Sequence, residues 1–369
     1  RRPELLRLFG EHVYGHTPDR PFEQRAEVVE QSADALDGRA IRRQVELIFT
    51  TEHGELKSNL LIYLPKDAPR PTPVFCGLNF AGNNTVHPDP AIRLTRSWVR
   101  SGSDPNAVDN RATEQSRGVL ARRWPVERII GRGYGLATVH YSDFDPDYND
   151  GFANGVHGLI DGPPADPRPA NAWGAIGAWA WGLSRAMDYF ETDGEIDHTH
   201  VALMGHSRLG KTALWAGAQD PRFAIVVSND SGCGGAALFR RRFGETIAHM
   251  RHNGIDYWFC SRYGEYAERE AEIPVDQHEL LALMAPRPVY VASAVEDAWA
   301  DPKGEFLALS HAGPVYGLFD ADLPDLDAMP GELELRHGAV GYHIRPGRHG
   351  VTDDDWRLWR DFADRHWRR

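Results

Sequence analysis

One stretch constrains this chain more than any other: a short apolar run, a glycine-flanked serine, then the start of a helix. It reads Val201-Ala202-Leu203-Met204-Gly205-His206-Ser207-Arg208-Leu209-Gly210-Lys211. Small residues let a backbone pass through a strained turn that lifts a hydroxyl above a sheet edge, the arrangement of a nucleophile elbow. The Arg208 amide would then open a helix, where backbone N–H groups favour an oxyanion. The usual spacing is G-x-S-x-G. Here Leu209 holds the second glycine's place and Gly210 follows one residue later. Serines between glycines also occur in ordinary turns, so the motif needs support from the rest of the chain.

The pattern of the whole chain supplies that support. Strand-like runs at Arg43 to Thr50 and Ser58 to Leu64, separated by Glu52-His53-Gly54-Glu55, read as an antiparallel hairpin. Short, largely apolar runs follow at Pro73 to Leu78, Leu136 to Tyr141, Val201 to Met204, Ala224 to Ser228 and Pro288 to Ala294. Runs of this kind suit strands buried on both faces of a parallel sheet. Before the elbow, Trp173, Ile176, Ala180, Leu183 and Met187 recur at helical spacing and read as a core face, while Asp353 to Trp367 reads as a closing helix. Pro3 to Pro18 reads as a short helix and a loop, and Ala91 to Arg117 as a polar loop insertion. The expected fold is an α/β-hydrolase three-layer sandwich. Its central sheet is mostly parallel, with an N-terminal antiparallel hairpin, and residues 1–369 form one catalytic domain.

Composition narrows the classes of function. The 369 residues carry a formal net charge of -12 and no basic run, which argues against nucleic acid as a partner. No apolar run approaches the roughly 20 residues that span a bilayer. Cys76, Cys233 and Cys260 are too few for a disulfide framework and are expected as buried thiols. With Arg1 at its head the chain reads as trimmed or processed, and a secreted or periplasmic location and a monomeric state are expected.

A serine hydroxyl needs a base, and the base needs an orienting acid. In the α/β-hydrolase order, acid and histidine follow the serine. His349 lies in the glycine-rich loop of Val340 to Gly350, before the last helix, and is the candidate base; His343 sits inside the strand and reads as packing. Two acids compete. Asp297 follows the run Pro288 to Ala294, and Asp230 follows Ala224 to Ser228. Asp297 is favoured, Asp230 remains a competitor, and the two could share the role. No metal or other cofactor is expected: His198/His200 and His249/His252 lack Cys or carboxylate partners at ligand spacing, and Gly205 to Lys211 lacks the spacer of a phosphate loop.

Several stretches together resemble the glucuronoyl esterases, carbohydrate esterase family 15, particularly the bacterial members. They are Gly205 to Lys211, Ser228 to Gly235, Asp276 to Leu283, Ala300 to Phe306, and Leu78-Asn79-Phe80 with Gly82-Asn83. The family's elbow has this additional residue before the glycine. The resemblance implies hydrolysis of the ester between a (4-O-methyl-)glucuronic acid branch of xylan and a lignin alcohol. It implies Ser207 as nucleophile, His349 as base, Arg208 at the oxyanion, and Lys211, Glu245 and Trp299 at the sugar; Trp258 reads as core. Fungal members often carry Cys before the serine and Glu at the earlier acid position. Here these are His206 and Asp230, so the fungal disulfide beside the nucleophile is not expected. Acetyl or feruloyl esterases on xylan, or a carbohydrate-binding protein without activity, are the alternatives.

Overall fold

A computed structural model describes residues 1–367, and ten strands form within them. The chain divides into two compact units. One, the hairpin unit, comprises Pro18–Arg168 and Trp181–Val201; the other, the elbow unit, comprises Arg1–Thr17, Pro169–Ala180 and the chain from Ala202 onward.

In the hairpin unit, β1 (Glu23–Asp34), β2 (Ala40–Thr51), β3 (Gly54–Pro65), β4 (Thr72–Asn79) and β5 (Gly135–His140) lie in the order β1-β2-β3-β5-β4. The predicted hairpin is β2–β3, with Thr51 facing Gly54 across the two-residue turn Glu52-His53. β3 also pairs antiparallel with β5, whereas β4 and β5 are parallel. The sequence reading has no strand at β1. Its residues, EQRAEVVEQSAD, are mostly exposed and carry charge on both faces, so no period-2 alternation marks them. Charge of that kind protects an edge strand from pairing with other chains.

β6 (Ile196–His206) begins in the hairpin unit and ends in the elbow unit. In the elbow unit it is followed in space by β7 (Ile225–Asn229), β8 (Val289–Ala294), β10 (Val340–Arg345) and β9 (Arg336–His337). β6, β7, β8 and β10 are mutually parallel, and β7, β8 and β10 are buried along their whole length. Continuous Val- and Ala-rich runs are what such burial on both faces demands.

Five helices of eight residues or more occur among the described residues: α1 (Arg2–Phe9), α2 (Ala175–Phe190), α3 (Arg208–Gln219), α4 (Pro302–Gly317) and α5 (Asp353–Trp367). The five apolar residues predicted as a core face around α2 are all buried. In the elbow unit Tyr14 stacks on Trp215 of α3 with ring centroids 4.6 Å apart, and α5 buries Trp356, Trp359 and Phe362. Each such side chain contributes roughly 1.5–3 kcal/mol by leaving water. That packing holds α3 and α5 against the strands whose ends carry the candidate site. The three cysteines are buried free thiols. Ala91 to Arg117 is irregular, with one 3₁₀ turn at Glu114–Ser116. No helix among the described residues is long and apolar enough to cross a membrane.

Candidate active site

Every residue singled out for chemistry falls in the elbow unit, at or after the C-terminal ends of β6, β7, β8 and β10. Ser207 stands between β6 and α3 with φ 57° and ψ -130°. A positive φ strains a non-glycine residue, and such strain persists only where the surroundings impose it. Here the Ser207 amide donates to the Asn229 carbonyl (2.9 Å), while its own carbonyl accepts from the amides of Gly210 (2.8 Å) and Lys211 (3.1 Å). The tight turn explains both glycines. A Cβ on Gly205 would lie 2.0 Å from the Leu209 carbonyl oxygen, and one on Gly210 would crowd the Ser231 side chain at 3.0 Å. The position of the usual second glycine is free to hold Leu209, whose side chain is buried. Arg208 opens the twelve-residue α3, which puts its amide at the positive end of the helix dipole. Its guanidinium carbon lies 5.5 Å from the centroid of the Trp258 ring. Trp258 is buried as expected, and it also supplies a π face to Arg208.

The two candidate acids differ in what they hold. Asp297 Oδ2 accepts from His349 Nδ1 at 2.5 Å, and Asp297 is 4% exposed against 40% for the His349 side chain. Asp297 sits in the turn after β8, with its Oδ1 accepting from the Ala300 amide at 3.3 Å. Asp230 Oδ2 accepts instead from Arg345 Nη2 and from the Gly350 amide, both at 3.2 Å. Burial, and then the nearby Glu305 carboxylate, hold the Asp230 carboxyl well above the usual carboxylate range; Arg345 pulls the other way. Asp230, Asp297 and His349 bring possible ligand atoms within 4.8 Å of one another. Those donors already serve hydrogen bonds, and the Arg345 cation already lies against Asp230. His206 places its ring 4.4 Å from that of His349 and bonds Asn229 Oδ1 through Nδ1 at 2.6 Å.

Lys211 is not a solvated helix lysine. Its side chain is 3% exposed, and Nζ donates to the carbonyls of Ser231 (2.7 Å) and Cys233 (2.6 Å) and to Glu245 Oε2 (2.6 Å). An ammonium has three protons, and all three are taken. A bond from Lys211 to a sugar hydroxyl would have to replace one of them. The Glu245 amide donates to the Trp299 carbonyl at 2.7 Å, and Gly244 lets the two segments meet: a Cβ there would lie 2.4 Å from the Ala298 and Trp299 carbonyl oxygens. Trp299 is 44% exposed, with the His249 ring 5.2 Å away.

Two buried charges escaped the sequence reading. Glu305 of α4 accepts through Oε1 from the amides of Ser231 (2.7 Å) and Gly232 (3.0 Å), and through Oε2 from Ser293 Oγ (2.6 Å). Burial raises its pKa to about 7 despite those donors. Arg345, the last residue of β10, is 2% exposed. Both stood in stretches already singled out. The available signal was a charged residue closing an apolar strand, or inside an otherwise apolar helix face.

Comparison with known proteins decides the family. Over its whole length the chain is similar to the carbohydrate esterase MZ0003 of an unknown prokaryotic organism, at 49% identity over 99% of this chain and 84% of that protein. The chain belongs to carbohydrate esterase family 15, the glucuronoyl esterases. Residues 169–319 match the model of the fungal glucuronyl esterases. A glucuronoyl esterase from Solibacter usitatus superposes with a TM-score of 0.91 at 45% identity, covering 100% of this chain and 92% of the other. A 4-O-methyl-glucuronoyl methylesterase of Wolfiporia cocos is 32% identical over 69% of this chain and 62% of that protein. The chain is thus a carboxylic ester hydrolase of this family, and its fold is the α/β-hydrolase fold read from the sequence.

Proposed function

We propose that this glucuronoyl esterase hydrolyses the ester between (4-O-methyl-)glucuronic acid branches of xylan and lignin alcohols, through Ser207, His349 and Asp297 and a covalent acyl-enzyme. The observation that carries the reading is the 2.5 Å bond from His349 Nδ1 to buried Asp297, in the unit that also holds Ser207 in its strained turn. With Nδ1 donating to Asp297, His349 presents Nε2 as a base for the Ser207 hydroxyl. Attack on the uronate carbonyl develops an alkoxide beside the N-terminus of α3, where the Arg208 amide and guanidinium stabilise it. His349 returns the proton to the departing alcohol, and water then resolves the glucuronoyl-serine with the same base.

The uronate side of the reading rests on Glu245 and Trp299. Lys211 commits one carboxylate oxygen of Glu245, leaving Oε1 to meet a sugar hydroxyl, while the exposed Trp299 face packs against the sugar ring. The methylesterase of Wolfiporia cocos, by its name, acts on 4-O-methyl-glucuronoyl esters, which supports a uronate as the acyl group. A polymeric plant substrate also fits a secreted or periplasmic enzyme.

The test is hydrolysis of benzyl glucuronate beside benzyl galacturonate and acetylated xylose, with Ser207→Ala as control. Glucuronate turnover is expected to fall about 10⁶-fold in the variant, the scale seen when a triad serine is removed. Turnover of the acetate alone would discard the uronate reading, and retained activity in Ser207→Ala would discard the nucleophile.

A further inference from the structure

From the hydrogen bonds around β10, we infer that Arg345 is a positioning residue that fixes the loop carrying His349 and ties it to Asp230. The inference rests on the reading of His349 as the base. A guanidinium offers five N–H donors in a rigid fork. In Arg345 each of the five has an acceptor. Nε donates to Asp355 Oδ2 (2.8 Å), Nη1 to the carbonyls of Pro346 (3.2 Å) and Arg348 (3.0 Å), and Nη2 to Asp230 Oδ2 (3.2 Å) and the Gly350 carbonyl (2.5 Å). Three of those acceptors are main-chain carbonyls of the five-residue segment 346–350, and two of them flank His349 directly.

The segment needs such a clamp. Gly347 has φ 92°, no helix or strand covers residues 346–350, and the His349 side chain is 40% exposed. Outside the clamp its main-chain bonds are few: the Glu296 amide donates to the Gly347 carbonyl at 3.0 Å, and the Gly350 amide donates to Asp230 Oδ2. The clamp is itself anchored. Asp355, in the first turn of α5, accepts from Arg345 and from the Thr352 amide and hydroxyl through Oδ2, and from His343 Nε2 through Oδ1 at 2.9 Å. His343 Nδ1 in turn meets Tyr290 OH at 2.8 Å. The loop is therefore referred to two buried strands and a helix rather than to solvent.

This arrangement also gives Asp230 a role distinct from that of Asp297. Asp230 accepts from the Gly350 amide and from the same Nη2 that donates to the Gly350 carbonyl. One peptide unit on either side of Gly350 is held by the hydrogen-bonded pair of Arg345 and Asp230. A lysine at 345 keeps the charge beside Asp230 but offers three donors from a point, and cannot reach acceptors spread around a planar fork.

The experiment compares Arg345→Lys with wild type on benzyl glucuronate, measuring kcat, KM and the fraction of competent serines by titration with a fluorophosphonate. A misplaced base slows acylation at every site, whereas a merely structural role lowers the number of competent sites. The expected result is kcat per titrated site at least tenfold lower, KM within about twofold of wild type, and fluorophosphonate labelling slowed in parallel. Wild-type kcat per site in Arg345→Lys overturns the inference. Arg287→Lys is the matched control, since Arg287 also clamps carbonyls (Gly217 and Phe223, both at 2.7 Å) away from the His349 loop; it is expected to change stability only. Should Arg345→Lys give no soluble protein, Asp355→Asn withdraws the anchor of the clamp, and an unchanged kcat per site there counts equally against the inference. His349→Ala separates the two readings. If it stays active, the base assignment fails; if it is dead while Arg345→Lys is normal, only the clamp fails.

Discussion

The ends of β7 and β8 invite comparison. Each strand is short, apolar and fully buried, and each is followed by an aspartate whose side chain is almost inaccessible. From sequence Asp297 is the favoured candidate and Asp230 its competitor. In the structure Asp297 meets an imidazole, and Asp230 meets a guanidinium and a backbone amide. The difference lies in what crosses from β10. Arg345 leaves the strand towards the Asp230 side, and the loop beyond it brings His349 to Asp297. A carboxylate after a strand acquires its function from the partner that the neighbouring strand delivers.

Substitutions at the two acids can break that comparison. Asp297→Asn is expected to lower kcat by about 10⁴-fold, because the amide no longer holds the base tautomer that donates from Nδ1. Asp230→Asn is expected to cost about tenfold or less, roughly 1.4 kcal/mol in the barrier. Its carboxyl is already held well above the usual range by burial and Glu305, so a neutral amide of the same shape is a close substitute. Steady-state kinetics on benzyl glucuronate checks both. Equal losses would make the acids share the role, and a reversed order would move the orienting acid to Asp230.

Smaller effects sharpen the picture further from the reacting atoms. Trp299→Ala removes an aromatic face, and ring contacts of this kind are worth about 0.5–1.5 kcal/mol. KM for glucuronate esters is therefore expected to rise a few-fold with kcat nearly unchanged; a fall in kcat alone would instead tie Trp299 to the chemistry. The smallest effect is thermodynamic. Glu305 titrates near 7 when folded and near 4.5 otherwise, so the folded state binds the extra proton between those values. Stability from this group is present below about pH 4.5 and is lost as pH rises through about 7. Asp230 acts in the same direction. Melting temperatures measured from pH 5 to 8 should fall more steeply in wild type than in Glu305→Gln, and identical slopes would show that Glu305 does not titrate differently in the two states.

The legible parts of the molecule share a physical property. The parallel strands, the elbow, the face of α2 and the closing helix α5 each carry their information locally, in apolar period, glycine placement or capping acids. β1 was missed because an exposed, charged edge strand has no such period. The family resemblance implies Lys211 at the sugar. Its saturation by Ser231, Cys233 and Glu245 depends on segments up to 34 residues away, which no local pattern encodes.

By itself the sequence determined the succession of buried parallel strands that follows the hairpin, the tight serine turn with its displaced glycine, and which candidate side chains follow the strand ends. Tertiary structure alone decided which of those side chains meet. It assigned Asp297 rather than Asp230 to the imidazole, turned Lys211 inward onto Glu245, left Trp299 facing outward, and brought Arg345 and Glu305 beneath the loops that carry the others. The reason is that hydrogen-bond partners of buried charges are chosen in space. Local sequence sets which side chains exist at a strand end, and only the packed sheet sets which of them meet.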